Sequence, residues 1–121
     1  MGTERTFSKN LEDRSFMLTT LQEMAAQVAA RLQVLNLAGH TVHIKARFHD
    51  FTTVTRAYTA TEGIGSADAI AAWLPELLER AVPKGASVRL LGITVSGLVY
   101  VLAARRVVHQ MSLLDEIHNL R

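Results

Sequence analysis

The residues of this chain best suited to chemistry are cations and hydroxyls at strand-like spacing. His43, Lys45 and Arg47 alternate with apolar neighbours, Arg56 and Arg89 stand in other β-rich segments, and Thr53, Thr55, Thr94 and Ser96 accompany them. Arginine offers a planar fork of donors and lysine a mobile point charge. Threonine and serine hydroxyls, or strand-end amides, fix register without reading base identity. Together they suit a phosphate backbone. The same residues also suit an ordinary solvated sheet face, and both readings stand at this point. Tyr58 beside Arg56 either stacks on a base or packs at a sheet edge, and no clear aromatic platform is evident.

Other chemistry finds little support. His40, His43, His49, His109 and His118 form no metalloprotease signature or i, i+4 pair, and the absence of cysteine removes thiolate metal sites, thiol nucleophiles and disulfides. The carboxylate pairs Glu12-Asp13 and Asp115-Glu116 fall in a cap and a tail, where solvation accounts for them. Gly63-Ile64-Gly65 lacks the rest of a phosphate-cradling motif and lies in a net negative block. No cofactor is expected. Near the end, Val99 to Ala104 is apolar, Arg105-Arg106 follows, and then comes Gln110-Met111-Ser112-Leu113-Leu114-Asp115-Glu116. This segment reads equally as a short linear docking peptide and as a terminal helix.

Positioning the cations requires a sheet with one polar face. From Met17, apolar residues recur at Leu21, Met24, Val28, Leu32 and Leu35, one stripe along a helix, with Asp13 as N-cap and Gly39 just past its end. The period then changes to two. Val42, Ile44, Ala46 and Phe48 point one way and Thr41, His43, Lys45 and Arg47 the other. A short His49-Asp50-Phe51 connection leads to a second strand over Thr52 to Ala60, forming an antiparallel hairpin. Ser66 caps a second amphipathic helix through Ile70, Leu74, Leu77, Leu78 and Ala81, in which Pro75 demands a kink or a late start. Val88 to Ser96 forms a last strand, with a bulge near Leu91-Gly92 that lets Val88 and Leu90 share a face with Ile93 and Val95. With an opening strand over Gly2 to Phe7, the expected class is α+β: a four-stranded β-sheet in βαββαβ order, two helices on one face, and an extended C-terminal tail.

Composition agrees with a single folded core of 121 residues, 49% of them hydrophobic, with no uncharged stretch of the roughly 18 residues a membrane span needs. No signal-peptide core opens the chain, and a cytoplasmic setting is expected. The net charge of +2 conceals an asymmetry: residues 40–60 are +2, residues 61–86 are −2, and the cations concentrate where the strands are expected.

Three segments, in this order, carry a resemblance to a known family. They are Glu4-Arg5-Thr6-Phe7, Phe51-Thr52-Thr53-Val54-Thr55-Arg56, and Val88-Arg89-Leu90-Leu91-Gly92-Ile93-Thr94-Val95-Ser96-Gly97-Leu98. The chain resembles, over nearly its whole length, the little finger domain of Y-family translesion DNA polymerases, especially the bacterial polymerase IV type. The resemblance implies a four-stranded sheet whose open face holds primer-template DNA by its backbone. It assigns DNA contact to Thr55, Arg56 and Arg89, with Thr53 and Ser96 as further candidates, while Lys45 and Arg47 are added by the alternation. It also makes the tail similar to a peptide that binds the bacterial β sliding clamp, with Gln110 in a polar subsite, Leu113 and Leu114 in an apolar cleft and Met111 assisting. The family pattern commonly ends Leu-Phe, and the smaller Leu114 fills such a pocket less completely. The expected division is residues 1–98 for DNA and 99–121 for linker and clamp-binding tail. The palm carboxylates, fingers and thumb are not in this sequence. A noncatalytic part of a translesion polymerase is therefore expected, with Mg2+ only in the absent catalytic domain and the remainder of the polymerase as a partner. The resemblance implies a cytoplasmic setting, with nucleoid association when bound to DNA. The alternative is a protein-interaction module that meets the clamp with little DNA affinity of its own.

Overall fold

A computed structural model describes residues 1–101. The strand β1 (Gly2–Leu11) is followed by α1 (Arg14–Val34), β2 (Leu37–Phe48), β3 (Thr53–Ile64), α2 (Ala67–Ala71), α3 (Leu74–Ala81), β4 (Val88–Ser96) and the short β5 (Val99–Tyr100). The long strands lie in the order β1-β4-β2-β3 with every neighbour antiparallel, and β5 adds to the start of β2 through Leu37↔Tyr100 and Ala38↔Val99. The helices pack on one face of this sheet, as the periodicity required.

Helix α1 forms where the apolar stripe predicts it. Met17, Leu21, Met24, Val28 and Leu32 are buried, as are Ala25 and Ala29, but Leu35, expected as the last residue of the stripe, is the C-cap and is exposed. Asp13 caps it by accepting from the amides of Ser15 and Phe16 at 2.9 and 3.2 Å. Its end differs from expectation. The left-handed residue is Asn36, at φ 56°, not Gly39, which lies inside β2. Asparagine is among the side chains that visit this region most readily, because its short polar group can hydrogen-bond locally. The glycine at 39 serves a close approach instead: a Cβ there would lie 2.6 Å from the Ser96 carbonyl oxygen and collide with Val95.

Ser66 caps α2 through the Ala69 amide at 3.1 Å. The helix then breaks at Ala72–Trp73, and α3 restarts with Pro75 in its first turn, where the missing amide hydrogen is no loss. Leu74, Leu77, Leu78 and Ala81 enter the core together with Ile70.

Alternation in β2 is as expected: Val42, Ile44, Ala46 and Phe48 are buried against the helices. They meet Val95, Ile93, Leu91 and Val88 of β4 in register. The bulge comes earlier than the sequence suggested. Arg47 pairs with Leu90 and Phe48 with Val88, so Arg89 is the extra residue. Holding Val88, Leu91, Ile93 and Val95 all in the core requires the shift between Val88 and Leu91. Leu90 consequently joins the open face, where it is nonetheless only 7% exposed.

Candidate nucleic-acid interface

Paired residues in an antiparallel sheet share a face, so the registers define the open side. One rung across the sheet is Thr6-Leu90-Arg47-Thr53, the next Glu4-Gly92-Lys45-Thr55, the next Gly2-Thr94-His43-Ala57, and β4, β2 and β3 continue it with Ser96-Thr41-Thr59. Lys45, Arg47, Thr53, Thr55 and Ser96 are thereby brought together as the sequence reading expected, with His43 and Thr94 among them.

Arg56 is not. Its partner is Ile44, whose side chain is in the core, so Arg56 leaves the edge strand β3 toward the helix-bearing side. There it is exposed and donates to the Thr55 carbonyl at 2.8 Å. Neighbours on one strand cannot share a face, so Thr55 and Arg56 could not both lie on the open side. Arg89, displaced by the bulge, lies at the hairpin end of the sheet with its guanidinium carbon 5.0 Å from the centre of the Phe51 ring.

The open face is internally hydrogen-bonded. Arg47 Nε donates to Thr53 Oγ1 at 3.1 Å, His43 Nε2 and Ser96 Oγ are 2.8 Å apart, and the hydroxyls of Thr41 and Thr59 are 3.0 Å apart. Lys45 Nζ donates to Glu4 Oε2 at 2.8 Å across the top of Gly92. Gly92 makes this bridge possible, since a Cβ there would lie 2.9 Å from Glu4 Cγ.

At the hairpin tip, Asp50 accepts from the Thr52 hydroxyl at 2.7 Å and from the Thr52 amide at 3.1 Å. The hydroxyl bond, then the amide, holds its carboxyl below the usual carboxylate range. Tyr58 is not a free platform. Its ring is stacked on Trp73 with centroids 3.6 Å apart.

The sequence reading missed two contacts of this face, Glu4 with Lys45 and Phe51 with Arg89. Glu4 shares parity with Gly2 and Thr6, but only the pairing with β4 shows that it reaches Lys45. Phe51 stood in a short connection and at the head of a family-like segment, and neither showed that its ring meets Arg89. The tail residues Gln110, Met111, Leu113 and Leu114 lie outside the described residues. Among the described residues, no three histidine or acidic side chains cluster as a metal site, and no helix is long and apolar enough to cross a membrane.

Comparison with known proteins agrees with this geometry. The chain is 44% identical over 101 residues to DNA polymerase IV of Alkalilimnicola ehrlichii, covering 84% of this chain and 28% of that one. It is 37% identical over 98 residues to DNA polymerase IV of Listeria welshimeri, covering 81% and 28%. The chain thus spans little more than a quarter of these relatives. Among solved structures, an insertion ternary complex of Dbh DNA polymerase matches with a TM-score of 0.63 at 20% identity, over 81% of this chain and 28% of that one. A little finger domain of PolIV, solved in complex with the β-clamp processivity factor, matches with a TM-score of 0.60 at 21% identity, over 78% and 85%. Both share the fold. A sequence model of the impB/mucB/samB family C-terminal domain matches residues 1–113, and with the fold and the polymerase IV relatives this shows that the chain belongs to that family, as the little finger domain of a Y-family DNA polymerase.

Proposed function

We propose that this domain grips primer-template DNA by its phosphates on the open sheet face and ties a translesion polymerase to a β sliding clamp through its tail. The observation that carries the DNA reading is the pair of adjacent rungs Arg47-Thr53 and Lys45-Thr55, which present cations and hydroxyls in fixed register on a face free of helices. Such donors position a backbone without reading its sequence. The DNA-contacting set is Lys45, Arg47, Thr53, Thr55, Ser96 and Arg89, with Arg56 relegated to the strand edge. The solved little finger–clamp complex supports the second part. Gln110, Met111, Leu113 and Leu114 are the residues proposed to enter the clamp. Residues 1–98 form the DNA-gripping unit, and β5 anchors the root of the tail to β2. Catalysis, with its Mg2+, belongs to the remainder of the polymerase, which acts on DNA in the cytoplasm and nucleoid.

The salt dependence of binding tests the assignment. Each phosphate-neutralising cation contributes about 0.9 to the slope of log K against log salt. Arg47→Ala combined with Arg89→Ala is expected to lower that slope by nearly two such increments, whereas Arg56→Ala leaves it close to wild type. An unchanged slope in the double variant refutes the assigned face. The pairing of Lys45 with Glu4 favours, as a second reading, a module that meets the clamp with little DNA affinity of its own. Calorimetry on a chain truncated before Gln110 separates the two. Loss of clamp binding with retained DNA binding supports the proposal, and undiminished clamp binding rejects the tail.

A further inference from the structure

One exposed aromatic is held in a way that burial does not explain. Phe51 is 66% exposed at the tip of the β2–β3 hairpin and has a φ of 69°. A bulky residue in the left-handed region is strained, a place usually taken by glycine or asparagine. The surrounding bonds impose it nonetheless. The Phe51 amide donates to the Phe48 carbonyl at 2.9 Å, the Phe48 amide to the Thr52 carbonyl at 2.9 Å, and Asp50 ties down Thr52 from the other side. Arg89, pushed out of the ladder by the bulge, places its guanidinium over the ring. The rung next to this tip is Arg47-Thr53.

We propose that Phe51, backed by Arg89, is a stacking site for an unpaired nucleobase of single-stranded DNA adjoining the duplex held on the open face. The proposal rests on the DNA-binding reading above. The occupant follows from chemistry. A base pair inside a duplex already has both faces stacked, so away from a duplex end only an unpaired base can offer its π-face to the ring; end-stacking on a terminal pair is the alternative that the blunt duplex tests. Every base has such a face, which makes the contact tolerant of sequence. The guanidinium adds attraction to the ring system and, with Arg47, charge for the phosphate of the same nucleotide. A strained backbone that holds the ring in solvent prepays its ordering before the base arrives.

The test measures binding of the chain to a blunt duplex and to the same duplex with a single-stranded overhang carrying 2-aminopurine, by anisotropy and by 2-aminopurine quenching. Loss of one stacked base weakens binding by about tenfold, within a wide range. Phe51→Ala is therefore expected to lose about that factor on the overhang substrate, lose the quenching, and leave the blunt duplex nearly unaffected. Phe51→Trp is expected to keep both signals, while Phe51→Leu, apolar without a π-face, behaves as Phe51→Ala. Wild type that binds both substrates equally without quenching overturns the stacking site alone. So does Phe51→Ala that weakens both equally, or Phe51→Leu that restores binding. Wild type that binds neither substrate removes the DNA reading as well. Undiminished DNA binding by Phe51→Ala together with lost binding to a β clamp assigns the tip to a protein surface and overturns the proposal.

Discussion

The bridge between Lys45 and Glu4 leads to an expectation opposite in sign to most charge substitutions at a binding face: removing Glu4 should strengthen DNA binding. The two charged atoms are 2.8 Å apart, with the side chains 35% and 49% exposed. At that distance the attraction in water is about 1.5 kcal/mol before other costs. Screening and the entropy of holding two flexible side chains reduce such exposed pairs to about 0.2–1 kcal/mol. A phosphate approaching Lys45 must first undo this pairing and then tolerate a carboxylate beside it. Glu4→Gln removes both penalties. Affinity for primer-template DNA is expected to rise by roughly two- to fivefold, a gain of up to about 1 kcal/mol. The salt slope should steepen by up to about 0.9, because one more cation becomes available to a phosphate. Anisotropy titrations over a series of salt concentrations provide both numbers. Glu79→Gln on the exposed side of α3 makes the same change in net charge far from the bridge and is the control. In a Lys45→Met background, Glu4→Gln should lose most of its effect. The reasoning is refuted if Glu4→Gln leaves affinity and slope at wild-type values, or if it strengthens binding no more than Glu79→Gln does.

Other expectations concern the scaffold. Gly39→Ala forces a Cβ against the Ser96 carbonyl and Val95 near the start of β2, and a loss of about 1–3 kcal/mol is expected, read as a lower urea midpoint. Asp13→Ala leaves the amides of Ser15 and Phe16 without their acceptor; it should cost about 1 kcal/mol, and Asp13→Asn much less, by thermal unfolding. The depressed Asp50 carboxyl favours the folded state at pH values above the ordinary Asp pKa of 3.8, and this contribution disappears as the pH falls through the lower folded-state pKa. Thr52→Val removes the hydroxyl that is the largest cause of the shift, so the Asp50 resonance should titrate closer to 3.8 in a carboxyl-detected NMR experiment, and an unchanged midpoint would rule out that cause.

Local pattern was enough to find the four long strands and the helical segments in their order, but not the two-residue β5, which forms only against β2. The stripe from Met17 to Leu32, the alternation from Val42 to Phe48, the caps Asp13 and Ser66 and the restart at Pro75 all act over a few residues, and each is legible without knowing what lies across the fold. The cations of β2 were legible for the same reason: the parity that buries Ile44 and Ala46 leaves Lys45 and Arg47 on the other side. Parity could also have shown that Thr55 and Arg56, being consecutive, cannot share one face. The helix end was harder to place, because Asn36 and Gly39 are both compatible with a turn, and the choice depends on Gly39 being needed against Val95 and Ser96, more than fifty residues away in the chain.

What only the tertiary structure decided is which residues meet across strands. Register between distant segments is set by the fit of whole apolar faces, Val42, Ile44 and Ala46 against Val95, Ile93 and Leu91, and not by any local preference. That fit places the bulge at Arg89 and carries its guanidinium to Phe51. It also brings Glu4 over Gly92 to Lys45. The sequence by itself determined that this protein has a polar, cationic sheet face. Its folding determined that one of those cations is already paired and that another backs an exposed ring, because cross-strand contacts are properties of the assembled sheet and of no single strand.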